Sequence, residues 1–188
     1  MAWQNPQSIG TRQFRCGYCG YNVANDKGYY YSSTSHKTAK QKYVYICPNC
    51  QNGTFFDENG RQYPGVAPGN EVGHLPEALD ALYREARNCC SISAFTASVL
   101  VSRKMLMNIA VEQGANESLK FIEYVEYLAK NGFIPPNGKT WVDHIRRKGN
   151  EATHEIALMT QADAEELVAF VEMLLKFIYE FPARVPIA

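Results

Sequence analysis

Cys16-Gly17-Tyr18-Cys19-Gly20 and Cys47-Pro48-Asn49-Cys50 are two CxxC words separated by residues 20 to 46, and their reading decides the fold of the N-terminal half. A CxxC turn presents two sulfurs from one tight knuckle, and its backbone amides can hydrogen-bond them. Two such knuckles on facing hairpins supply four thiolates, a complete tetrahedral shell with no position left for water or substrate. Cys16, Cys19, Cys47 and Cys50 are therefore read as ligands of one structural Zn²⁺, which supplies folding energy that a small β-sheet lacks on its own. Disulfide or redox pairing is the first alternative. Iron is the second, since the CGYCGY and CPNC words resemble rubredoxin knuckles, although little else in residues 20 to 46 does. His36, in a Ser/Thr/Lys loop between the knuckles, could replace a ligand, but four cysteines already fill the shell.

The sequence around the knuckles is β-prone. Eight of the 12 tyrosines fall in the first 63 residues, within the runs Tyr29-Tyr30-Tyr31, Tyr43-Val44-Tyr45-Ile46 and Thr54-Phe55-Phe56. Asn25-Asp26-Lys27-Gly28 and Asn59-Gly60 read as turns between them. Pro64-Gly65-Val66-Ala67-Pro68-Gly69-Asn70 then reads as an irregular linker. From Leu75 onward helical patterns take over, over roughly 76 to 90, 93 to 113, 117 to 131, 141 to 158 and 160 to 180. Pro76 suits a first helical position and Ser93 and Thr160 suit N-caps. Asp163 completes a capping-box-like Thr-x-x-Asp, and Gly114 and Gly132 suit C-terminal stops. The second helix is apolar on nearly every side (Phe95, Val99, Leu100, Leu106, Ile109), which marks the centre of a bundle. The last places Leu167, Phe170, Val171, Leu174, Phe177 and Ile178 at helical spacing. Cys89 and Cys90, beside an apolar run, read as small buried hydrophobes. The expected fold class is α+β: a small antiparallel β zinc ribbon with its linker over 1–72, then an all-α helical bundle over 73–188.

The 188 residues carry 19 Lys plus Arg against 19 Asp plus Glu, which excludes a strongly basic nucleic-acid clamp. The zero is a cancellation. Residues 1 to 74 hold seven basic and four acidic side chains, +3, and residues 75 to 188 hold twelve and fifteen, −3. Arg12, Arg15, Lys27, Lys37, Lys40 and Lys42 lie among aromatics, a combination able to neutralise phosphates and stack bases. A Zn(Cys)4 centre carries about −2, which leaves about +1 and favours a purely structural ribbon. The polar N-terminus has no apolar core of a signal peptide, and the longest uncharged stretch, Asn88 to Ser102, carries Ser and Thr and is too short to span a bilayer. A cytoplasmic protein is expected. No Gly-rich phosphate loop and no HExxH helix is present.

Trp141 to Met159, placed at about 100° per residue, sorts into two faces. Trp141, Val142, Ile145, Ala152, Ile156 and Met159 gather on one, with Gly149 where close packing would favour it; Asp143, Arg147, Asn150, Glu151 and His154 gather on the other. From the residues alone this polar stripe is a solvated helix face with an i, i+4 pair between Arg147 and Glu151.

A family resemblance adds a second reading. Ala86-Arg87-Asn88-Cys89, Ala94-Phe95-Thr96-Ala97, Gly132-Phe133-Ile134-Pro135, Ile145-Arg146-Arg147-Lys148-Gly149-Asn150-Glu151-Ala152-Thr153-His154 and Thr160-Gln161-Ala162-Asp163-Ala164-Glu165-Glu166 resemble the bacterial family called domain of unknown function 4145, a branch of the HEPN superfamily of helical domains. Many HEPN domains are metal-independent ribonucleases of toxin and antiphage systems, dimerising so that two Arg-x(4 to 6)-His motifs face each other. The resemblance implies a homodimer acting on RNA or another nucleic acid, with His154 as the motif histidine and Asn150 as the polar residue four positions before it. Arg147 meets the looser arginine spacing, Arg146 is the arginine this family usually shows, and Gly149 stands where the tight motif has its arginine. The activity implied is RNA cleavage, His154 moving the proton while Arg147 or Arg146 stabilises phosphate charge. A non-catalytic nucleic-acid-binding regulator and a protein-interaction adaptor are the alternatives.

Overall fold

The computed structural model describes residues 2–31, 41–135, 141 and 158–185. The chain divides into two compact units, Met1–Ala67 and Pro68–Ala188.

The first unit is an antiparallel sheet of β1 (Gln7–Arg15), β2 (Asn22–Tyr31), β3 (Lys42–Ile46), β4 (Gly53–Phe56) and β5 (Gln62–Tyr63), in that spatial order. The three aromatic runs all lie in strands, where bulky side chains pack on a pleated surface. Asn59-Gly60 forms the expected turn: Gly60 takes φ +81° and its N–H donates to the Asp57 carbonyl at 2.9 Å. Asn25-Asp26-Lys27-Gly28, expected as a turn, lies instead inside β2. The pairing register jumps from Ser8↔Lys27 to Arg12↔Asn25, so β1 bulges against this stretch. Asn25 and Asp26 spend their side chains on strand neighbours, Asn25 Nδ2 donating to the Ile46 carbonyl (2.6 Å) and Asp26 Oδ2 accepting from Ser8 Oγ (2.7 Å). Gly28 is needed for space, because a Cβ there would stand 2.0 Å from the Val44 carbonyl oxygen. Phe14, Tyr45 and Phe56 make a small core on one face, with edge-to-face contacts of Phe56 on Phe14 (5.4 Å) and on Tyr45 (5.7 Å).

The second unit contains α1 (Glu77–Ser91), α2 (Phe95–Glu112), α3 (Phe121–Lys130) and α4 (Gln161–Leu175). A π-helical turn (Lys176–Glu180) and the short α5 (Phe181–Arg184) follow. Helix α2 packs against α1, α3 and α4, as its apolar composition requires. Met105, Leu106 and Ile109 are fully enclosed with Val125 and Leu128 of α3 and Val168, Phe170, Val171 and Leu174 of α4. Cys90 joins this core and Cys89 is half-buried; burial raises the pKa of both thiols. Of the helix expected over 141 to 158, only Trp141 and Leu158 lie among the described residues.

The helix ends show what the pattern captured. Gly114 and Gly132 take φ +97° and +79° and each closes the preceding helix with paired bonds, Gly114 to Val111 with Ala115 to Ala110, and Gly132 to Ala129 with Phe133 to Leu128. Thr160 caps α4 with a reciprocal box, Asp163 N–H donating to Thr160 Oγ1 (3.3 Å) and Thr160 N–H to Asp163 Oδ2 (2.9 Å). Pro76 is the N-cap of α1 and not its first helical residue. Ser93 is not the N-cap of α2, which is Ala94. Ser93 sits at φ +67° and ends α1 by the same paired bonds, Ser93 to Cys90 (3.0 Å) and Ala94 to Cys89 (2.8 Å). Two helices joined this closely leave one residue to serve the end of the first.

The π-helical turn alters the last helix. Its wider i→i+5 winding slips the phase of the apolar stripe. Phe177, expected in the core, is therefore 49 % exposed, while Glu180 is buried. Glu180 Oε2 accepts from Gly73 N–H (2.8 Å), and Oε1 accepts from Arg184 (2.5 Å). It belongs to a row of polar clamps holding residues 68–73 along the bundle. Arg87, almost wholly buried, donates to the Pro68 carbonyl (2.8 Å), the Gly69 carbonyl (3.2 Å) and Glu71 (2.6 Å). Tyr83 donates to the Asn70 carbonyl (2.9 Å), and Glu172 accepts from both the backbone N–H and Nδ2 of Asn70 (3.0 Å each).

Burial alone would raise the pKa of Glu172, but bonds from Lys176 and Asn70 together outweigh it and hold the carboxyl below its ordinary value. A depressed folded-state pKa stabilises the fold above the unfolded value and loses that contribution as pH falls through the folded one. The urea midpoint of the helical unit is expected to fall as pH drops from about 5 toward 3, and Glu172→Gln to flatten part of that fall.

Candidate metal centre

Each knuckle is built the same way. Arg15 ends β1, Cys16 N–H donates to the Tyr21 carbonyl and Gly20 N–H to the Cys16 carbonyl, both at 2.9 Å. In the second, Cys47 N–H donates to the Asn52 carbonyl and Gln51 N–H to the Cys47 carbonyl, again both at 2.9 Å. The residue after each second cysteine takes a left-handed conformation, Gly20 at φ +72° and Gln51 at φ +61°. The non-glycine residue there is held, since its carbonyl accepts from Trp3 Nε1 (2.6 Å) and its side chain donates to the Pro48 carbonyl (3.1 Å). Arg15 Nε donates to the Gly20 carbonyl (2.9 Å) and braces the first knuckle.

The two knuckles bring Cys16, Cys19, Cys47 and Cys50 together with all four sulfurs within 4.8 Å of one another. Cys16 to Cys50 and Cys19 to Cys47 are each 3.7 Å apart, too far for a disulfide bond. A tetrahedral ion about 2.3 Å from each sulfur sets sulfurs about 3.8 Å apart. The four residues can hold one such ion, and no ligand position is left over. Around it, Asn49 Nδ2 donates to Cys19 Sγ and Asn52 Nδ2 to Cys50 Sγ, each at 3.5 Å. Burial raises the pKa of Cys16 and Cys47 against opposing backbone N–H bonds. Burial also acts on Cys19, but the bonds from Asn49 and the Tyr21 amide outweigh it and lower that thiol. A bound divalent cation reverses this balance by favouring the thiolates outright.

The basic residues of the first unit are partly spoken for. Arg12 lies over the Phe56 ring at 3.9 Å and reaches the Gly60 carbonyl, and Arg15 braces its knuckle, so both serve the fold. Lys27 pairs with Asp26 and Lys42 with Glu58. His36, Lys37 and Lys40 lie outside the described residues, as do Arg146, Arg147, Asn150 and His154. The segment that carries the last four is bracketed by two described contacts. Trp141 meets Phe170 edge-on at 4.9 Å, and buried Met159 donates its N–H to Thr96 Oγ1 (3.1 Å). The polar clamps on residues 68–73 escaped the sequence reading, since a Pro/Gly cluster carries no sign that distant Arg87 and Glu172 will hold it. Among the described residues no helix is long and apolar enough to cross a membrane.

A family profile, described as a domain of unknown function, DUF4145, matches residues 84–186, more than half of the chain. No curated protein and no solved structure gives a significant match. The match begins inside α1 and runs past α5, and it contains every word on which the resemblance rested. The chain belongs to the DUF4145 family.

Proposed function

We propose that this is a zinc-stapled ribbon joined to a HEPN-like helical domain whose work is on nucleic acid, with metal-independent RNA cleavage by a homodimer as its chemistry. Zinc is favoured over iron because a closed four-thiolate shell between hairpins is the form of a structural zinc site. Membership of the DUF4145 family is the observation that carries the nucleic-acid reading, because the family match spans the Arg146, Arg147, Asn150 and His154 words. The bracketing contacts support it, since Trp141 and Met159 both belong to the apolar face of that segment and both meet the bundle.

In this chemistry the ribose 2′-oxygen forms a bond to its own phosphorus as the bond to the 5′-oxygen breaks, leaving a cyclic phosphate and a 5′-hydroxyl. His154 takes the 2′ proton or delivers one to the leaving oxygen, Arg147 or Arg146 balances charge on the phosphate oxygens, and Asn150 orients them. His154→Ala is expected to lower the rate of degradation of mixed RNA at least 100-fold, within the usual range for a lost general acid or base. Equal degradation by wild type and variant would defeat the catalytic proposal. Gly149 at the tight-motif arginine position favours one alternative, a stripe that grips phosphate without cutting. RNA binding without cleavage, lost in the Arg146→Ala/Arg147→Ala double variant, would establish that one.

A further inference from the structure

The face of the sheet opposite Phe14, Tyr45 and Phe56 carries a second set of aromatics. Tyr29 pairs with Val44, Val44 with Phe55 and Phe55 with Tyr63, so four side chains form one row across four strands. Trp3 extends the row, its ring 6.0 Å from Tyr29 and against Gly53. Tyr31, two residues beyond Tyr29 on the same face, pairs with Lys42, and the Arg61 guanidinium stands over Tyr63 at 5.3 Å. The row is half-buried, but its flanks are open: Trp3 is 42 % exposed and Tyr31 63 %.

We infer that the line Trp3–Tyr29–Tyr31, rimmed by Lys42 and Arg61, is a stacking platform for single-stranded nucleic acid. The inference deepens the nucleic-acid reading above and rests on it for the class of ligand. Three features favour that occupant over an apolar protein segment.

The first is what the rings offer. Trp3 Nε1 donates to the Gln51 carbonyl and Tyr29 Oη to the Gln4 carbonyl, so their polar edges are used within the chain. A ring that presents a face without a free donor suits stacking, which tolerates any base. The second is spacing. Alternate residues of a strand stand about 7 Å apart on one face, room for one base ring between Tyr29 and Tyr31 at ordinary contact distance on both sides. The third is charge. Residues 1 to 67 hold seven Lys or Arg against three Asp or Glu, +4, which leaves about +2 beside a four-thiolate zinc centre. Asp57, at the end of β4, accepts from Asn59 and Arg61 N–H groups in the β4–β5 turn, and Glu58 pairs with Lys42 at the surface. A phosphate backbone can exchange for Glu58 at Lys42 without uncovering a buried charge.

The test uses the full metal-loaded chain and a fluorescein-labelled 12-nucleotide oligo(U), its oligo(dT) counterpart and a 12-base-pair duplex, followed by anisotropy at 50 mM and 200 mM salt. Both single strands should bind more tightly than the duplex, and more weakly at the higher salt. Tyr31→Ala is expected to weaken single-strand binding about tenfold, a typical stacking contribution. Tyr30→Ala is the control, because Tyr30 is 51 % exposed on the other face. Equal metal content in both variants checks that the ribbon is intact. Absence of single-strand binding, equal loss with Tyr30→Ala, or duplex binding as tight as single-strand binding would overturn the platform; the last two would leave a nonspecific basic surface. Retention of a proline-rich or aromatic peptide in place of the oligonucleotides would show that the face is a protein site. The two proposals fail separately. Single-strand binding that depends on Tyr31, with no effect of His154→Ala on RNA, would leave the platform and remove the nuclease. Cleavage that depends on His154, with Tyr31→Ala binding like wild type, would do the reverse.

Discussion

Stripping the metal with a strong chelator, or replacing Cys47 with Ser, is expected to unfold residues 1–67 while the helical unit keeps its far-ultraviolet signal. The reason is the size of the core that would remain. Apart from the ligands, buried packing on the inner face of the sheet is carried by Phe14, Tyr45 and Phe56, and Cys16 and Cys47 are themselves fully buried members of that cluster. A sheet of this size needs a staple, and structural zinc contributes an apparent 10–16 kcal/mol, roughly, to folding at neutral pH. Cys47→Ser removes one ligand and leaves a hydroxyl in a buried position next to the three remaining thiols. Loss of the near-ultraviolet tyrosine signal and of amide protection in β3 and β4, both restored by adding Zn²⁺ to the wild type but not to the variant, would be the expected pattern. Unchanged protection after chelation would show that the sheet stands without metal.

Phe170→Ala should cost the helical unit about 3–5 kcal/mol, the usual range for truncating an enclosed Phe. Phe170 is fully buried on α4, among side chains of a close-packed bundle, and its ring also receives the edge of Trp141. For a unit of this length the loss corresponds to a fall in Tm of about 10–20 °C. Trp141 adds a local readout. Its emission should shift to the red in Phe170→Ala and not in Phe177→Ala, because Phe177 is turned out of the core by the π-helical turn. The proposed RNA cleavage should also be slower in Phe170→Ala below its melting temperature, since the contact of Phe170 with Trp141, at the start of the segment from 141 to 159, has been removed. A variant with the same melting temperature as wild type would mean that the contact around Phe170 is looser than its burial indicates.

The parts of this molecule that were legible in the sequence are those in which chemistry or backbone geometry demands a residue type at a fixed spacing. Four thiols in two CxxC words were such a case, and the structure brings their sulfurs together. Gly114 and Gly132 were another, because a left-handed helix end favours glycine, and so was the Thr160–Asp163 box. What sequence spacing missed was set by distant neighbours. Ser93 has the composition of an N-cap, but the junction between α1 and α2 is only Ile92, Ser93 and Ala94, and Ser93 serves the end of the first helix. Asn25 to Gly28 has the composition of a turn, yet the bulge in β1 and the nearness of Val44 keep it in a strand. The slip at Lys176–Glu180 broke the periodic pattern that put Phe177 in the core, and buried Glu180 against Gly73. The aromatic row on the outer face appeared only with the register, which places Tyr29, Val44, Phe55 and Tyr63 opposite one another.

The site is the firmest link between sequence and role, and its occupant decides what the first unit is. Metal analysis of the full chain, purified without added metal, tests this most directly. One zinc per chain, falling to none in Cys47→Ser, is the predicted result. An iron content near one per chain, or metal-free protein with its first unit still folded, would contradict it.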